Sequence, residues 1–135
     1  MNIKKNLNIA TILPYKENYT FSKASAASLW VYEFFKKSKY KKNNIIYGHT
    51  KSKDYLSKNY KNINLKNLKS KLKSTTNEYS EKLIKEINNN NFDIVEIHNR
   101  PLLLFKLTNK IKVKFIFYFH NDPLSMKDQN QLKKD

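Results

Sequence analysis

The chain has no cysteine, one glycine and, among 27 basic residues, one arginine; only 11 residues are acidic. Each shortage closes off a class of chemistry. Without cysteine there is neither a disulfide framework nor thiol catalysis. With Gly48 as the sole glycine, neither G-x-G-x-x-G nor G-x-x-x-x-G-K is present. A dinucleotide site and a nucleoside triphosphatase are therefore unsupported. No pair of acidic residues has the look of a hydrolase dyad, and no serine sits in a nucleophile elbow. His49, His98 and His120 are the only histidines, and their spacing matches no common zinc pattern, so no metal is expected.

The formal charge of +16 invites a nucleic-acid reading. The composition argues against it. Every basic residue except Arg100 is lysine, and asparagine and isoleucine abound. That is the set an AT-rich genome writes by codon bias. Base and phosphate recognition favours the bidentate fork of arginine. There is also no basic stripe with interleaved aromatics. A basic nucleic-acid-binding module stays as the rival class, and nucleic acid is not the expected partner. Peripheral contact with an anionic membrane does follow from the charge.

Long apolar runs are missing as well. The most apolar stretch, Val113 to Phe119, is broken by Lys114. It falls far short of the roughly 20 residues of a membrane span. Ile9 to Leu13 is short for a signal-peptide core, and no small-residue cleavage site follows it. A cytoplasmic protein is expected, able to rest on the inner membrane face.

What is present is enough for a core. Hydrophobic residues make up 39% of the chain, too many for a disordered one, and 135 residues suit a single domain. Leu7 to Leu13 reads as a buried strand ended by Pro14. A helix over about Ala24 to Lys37 carries Ala27, Trp30, Val31, Phe34 and Phe35 on one face, which places Trp30 in the core. Asn44 to Tyr47 is a second strand, closed by Gly48, and Ile63 to Leu65 a brief third. Thr75 and Glu78 form a capping box before a helix that buries Tyr79, Leu83, Ile84 and Ile87. Phe92 to Ile97 is a fourth strand. A short helix, Leu102 to Asn109, follows Pro101. Lys112 to Phe119 is a fifth strand, and Ser125 to Asp135 starts a polar helix.

This alternation predicts an α/β fold, a Rossmann-like parallel sheet with flanking helices. Ligands of such sheets bind at the carboxyl ends of the strands. Three loops lie there: Pro14 to Lys23, His98 to Pro101 and His120 to Pro123. Lys23, Ala24 and Ser25 open a helix N-terminus whose free N–H groups suit an anion; the alternative is that Ser22 or Ser25 merely caps the helix. His98 and His120 each follow an apolar strand and precede asparagine. Each has a group that exchanges protons near neutral pH, or it bonds a nearby carbonyl and caps its strand. Arg100 forks onto a phosphate or carboxylate, or pairs with Glu96 or Asp122. Asp122 faces a ligand or caps the final helix. Tyr15 and Tyr19 are placed to stack on a sugar, or are ordinary loop tyrosines.

The segments KASAASLWVYEFFKK, FDIVEIHNRP and KFIFYFHNDPLSM, with the first strand, span about Leu7 to Met126. Over that length the chain resembles the N-terminal domain of family 4 glycosyltransferases, retaining enzymes with the two-domain GT-B architecture. The resemblance implies transfer of a sugar from a nucleotide-sugar donor to a polysaccharide or lipid-linked acceptor, with no cofactor or metal. It places Lys23, Ala24 and Ser25 near the donor phosphates and acceptor. His120 would lie by the transferred sugar as the catalytic residue, with Asn121 and Asp122 beside it. His98 and Arg100 would line the acceptor side. The family's first loop is usually glycine-rich; here it is alanine and serine. Its donor-binding domain, with paired glutamates, has no counterpart in these residues, so a partial domain, inactive alone, is expected. A non-catalytic remnant is the other alternative.

Overall fold

Five short strands of mostly buried residues set the architecture, and each returns through a crossover to run parallel to the others. The computed structural model describes residues 6–66 and 74–120. In chain order the elements are β1 (Ile9–Ile12), α1 (Ala26–Lys37), a 3-10 turn (Lys41–Asn43), β2 (Asn44–Gly48), β3 (Tyr60–Asn62), α2 (Thr75–Asn88), β4 (Ile94–His98), α3 (Pro101–Thr108) and β5 (Lys114–Tyr118). The sheet order is β3-β2-β1-β4-β5, with every pairing parallel. This is an α/β Rossmann-like fold.

The strands alternate sides. Ile9 and Leu13 of the β1 region pack with Val31 and Phe35 of α1 and with Ile46. Ala10 and Ile12 face the other way, onto Tyr79, Leu83 and Ile87 of α2 and Leu103 and Leu107 of α3. Most of these side chains are almost wholly buried. Each such aliphatic contributes about 1.5–3 kcal/mol of hydrophobic stabilisation. The chain leaves β1 towards β2 and β3 on one side and returns to β4 and β5 on the other. The strand order therefore reverses between β1 and β4, where α/β sheets open a crevice at their carboxyl edge.

Several sequence expectations shift here. The third strand is Tyr60–Asn62, not Ile63 to Leu65. As an edge strand it takes its register from β2, where Ile46 pairs with Tyr60. The cap of α2 is Ser74, one residue before the expected Thr75, because Ser74 holds the extended backbone a cap needs and accepts from Asn77 N at 3.1 Å. Glu78 Oε1 instead accepts from Lys66 N at 2.6 Å. Tyr19 is fully buried, stacked on Tyr60 with ring centroids 5.0 Å apart, and so does not offer a sugar platform. Trp30 is not core. It is 39% exposed and Phe34 44% exposed, because the row Ala27, Val31, Phe35 faces the sheet and the row Trp30, Phe34 falls on its flank. No helix among the described residues is long and apolar enough to cross a membrane.

Candidate functional site

His98 is the last residue of β4, and Tyr118 the last of β5, in register with it. Their rings stack at 4.8 Å between centroids. Beyond the strand ends come Asn99, directly after β4, and His120, two residues after β5. Asn99 takes a left-handed backbone, φ 57°, which asparagine tolerates better than most residues. In that conformation its backbone N–H donates to Tyr118 O at 2.8 Å, and its side-chain Oδ1 accepts from His120 N at 3.0 Å. Both ends of Asn99 thus clamp the ends of β4 and β5 together.

The clamp brings His98 Nδ1 and His120 Nε2 to 2.7 Å, a hydrogen bond between the two imidazoles. His98 is fully buried and His120 half-buried at the carboxyl edge. Trp30 walls the pair from α1, with centroids 5.7 Å from His98, 5.2 Å from His120 and 5.5 Å from Tyr118. Burial lowers the pKa of His120, and the adjacent His98 lowers it further; Glu17 opposes them. His120 is thus held neutral below the usual histidine range. Burial raises the Tyr118 pKa, with Glu96 adding to the effect.

Behind His98 lies Glu96, two residues earlier on the same strand face and 5% exposed. Its Oε2 is 3.9 Å from His98 Nε2 and accepts from Thr11 Oγ1 at 3.3 Å. Thr11 Oγ1 accepts in turn from Asn44 Nδ2 at 2.8 Å. A polar file therefore runs from β2 through β1 and β4 to the edge. Glu96 meets one nitrogen of His98 and His120 the other, so the three cannot converge on one ion; no metal-holding group of His, Cys, Asp or Glu occurs among the described residues.

Arg100 follows Asn99 and directly precedes α3, its guanidinium 5.5 Å from the centroid of the Tyr15 ring. That placement makes a cation–π contact with Tyr15, and Asp122, one of the two acids considered for an ion pair, lies outside the described residues. Tyr15 also borders a cavity of about 390 Å³ shared by Lys16, Asn18, Lys23, His49 and Lys51. Lys23 is exposed there. Ala24 is half-buried against the α1 core. Ser25 is spent as the cap of α1, accepting from Ser28 N at 3.1 Å and donating to Ser28 Oγ at 3.0 Å. Its hydroxyl is thereby committed within the helix. Asn121, Asp122 and the expected helix from Ser125 lie outside the described residues.

Of the residues picked from sequence, His98 and His120 are joined directly, Arg100 lies over the Tyr15 ring, and Lys23 lines the cavity that Tyr15 borders. Trp30, Glu96, Asn99, Tyr118 and Thr11 were missed. Glu96 carried a signal: an acid two positions before a histidine in an otherwise apolar strand points the same way as that histidine. Compared with known protein families, with curated proteins and with solved structures, the chain matches none of them.

Proposed function

We propose that this domain is the acceptor-side half of a retaining glycosyltransferase that takes its sugar from a nucleotide-sugar donor, with His120 touching the transferred sugar. One observation carries the reading: a bonded, carboxylate-backed histidine pair sits at the carboxyl edge, next to the point where the strand order reverses. A neutral imidazole there accepts a hydrogen bond from a sugar hydroxyl. The flanking Trp30 and Tyr118 rings supply the apolar surface that a sugar's C–H face prefers. Arg100, over the Tyr15 ring, and Lys23, on the cavity that Tyr15 borders, supply positive charge for a diphosphate. The +16 charge suits an acceptor carried on an anionic membrane, such as a lipid-linked glycan or cell-surface polysaccharide. In this reading the donor grip and most transition-state contacts come from a second domain.

The test is transfer of labelled sugar from UDP-, GDP- and ADP-sugars onto the glycan and membrane fraction of the source cell. It uses the natural-length gene product and its His120→Ala variant. Transfer that falls about 100-fold or more in the variant supports the reading. No transfer from any donor, or equal transfer by both proteins, overturns it.

A further inference from the structure

The proposed reaction leaves Glu96 without a role, yet a carboxylate buried in the middle of β4 is expensive unless it is satisfied. Its surroundings are directional. Asn44 Nδ2 donates to Thr11 Oγ1, so the Thr11 hydroxyl proton is free to go to Glu96 Oε2. On its other side Glu96 Oε2 faces His98 Nε2 at 3.9 Å, and that buried nitrogen has no hydrogen-bond partner among the described residues.

A neutral imidazole carries one N–H and one lone pair. A lone pair on His98 Nε2 would point at a carboxylate, like charge to like. An N–H there points a positive dipole at it. The carboxylate therefore holds the proton on Nε2 and the lone pair on Nδ1. His98 Nδ1 is then the acceptor of the 2.7 Å bond, and His120 Nε2 must be its donor. With its single proton committed there, neutral His120 exposes Nδ1 as a lone pair. Tyr118 stacks on His98 by its ring face and so does not compete for this choice; Glu17 acts on His120, and any pull it exerts on Nδ1 opposes the bias from Glu96.

We propose that Glu96 is a positioning residue that sets the tautomers of both histidines, so that His120 presents Nδ1 to a sugar hydroxyl as acceptor. The sugar in this statement rests on the glycosyl-transfer reading; the tautomers do not. The logic is that of a base oriented by a third, buried group.

Two-bond proton–nitrogen NMR on the nitrogen-15-labelled 135-residue chain, above the histidine titration, reads the tautomers directly. The expected result is Nε2–H on both His98 and His120. Wild-type His120 protonated on Nδ1 would overturn the proposal without any variant. In Glu96→Gln the bias disappears, and His120 shifts towards the Nδ1–H form while the backbone fingerprint persists. A folded Glu96→Gln with unchanged tautomers also overturns it. Correct tautomers in a protein whose natural-length form transfers no sugar sink the glycosyl-transfer reading and leave the role of Glu96 standing.

Discussion

His98 Nδ1 and His120 Nε2 meet across 2.7 Å, which packs two imidazoles into one partly buried site at the ends of β4 and β5. Burial and the neighbouring ring both lower the pKa of His120 from 6.5. Between its folded value and 6.5 the unfolded chain therefore binds more protons than the folded one. The resulting stability is present above pH 6.5 and is lost as pH falls through the folded value. Urea midpoints at a series of pH values should decline below 6.5 in wild type and decline less in His120→Gln. Equal slopes in both proteins would remove His120 as the cause.

Trp30 is the only tryptophan, and it lies edge-on to His120 at 5.2 Å. Protonated imidazole quenches indole emission on contact, so tryptophan fluorescence reports the charge state of the pair. Emission should drop on acidification with a midpoint below 6.5, and His120→Ala should flatten the curve. Trp30→Ala should cost about 2 kcal/mol, less than the roughly 3–5 kcal/mol of a fully buried aromatic, because part of the ring already faces water. A larger loss would mean that Trp30 supports the core and not the site.

The fold was readable because apolar runs alternated with helical periodicity, and the ends of β1, β2, β4 and β5 came out within two residues of their places. The strand-end histidines followed from the same reading. Trp30 did not. Periodicity identifies an apolar stripe on a helix but not which edge of the stripe the sheet covers. Glu96 was hidden for another reason: its role depends on Thr11 being its register partner, 85 residues away. The third strand slipped because only three residues pair and one of them is buried, and its register comes from Ile46 and Gly48 of β2.

Tyr79 ties α2 to the candidate site. Its hydroxyl donates to Leu13 O at 2.6 Å, in full burial, and its ring meets Tyr15 edge-on at 6.0 Å. Burial pushes the phenol well above its usual range, so it stays a donor at every accessible pH. Tyr79→Phe keeps the ring and removes the bond, leaving the Leu13 carbonyl without that donor. The expected cost is about 1–2 kcal/mol in urea unfolding. Because Tyr15 carries Arg100, the variant should also broaden the Arg100 side-chain NMR signals. A neutral Tyr79→Phe would show that water replaces the hydroxyl.

Gly48 tests how tightly the β2–β3 side of the sheet is built. Its backbone is not left-handed, so alanine meets no strain there; the obstacle is space. A Cβ would stand 3.0 Å from the Tyr60 hydroxyl and 3.2 Å from its Cε2. Tyr60 has little room to withdraw. It stacks on Tyr19, tilts against Tyr55 at 4.6 Å and donates to Asn62 Oδ1 at 3.0 Å. Asn62 Oδ1 in turn accepts from Thr50 N at 2.8 Å. Gly48→Ala should therefore destabilise by about 1–3 kcal/mol, with an unchanged denaturant slope. Adding Tyr60→Phe removes the nearest atom, so the double variant should be more stable than the sum of the two single losses predicts. Strict additivity would place the strain in the backbone of β2 and not in the Tyr60 contact.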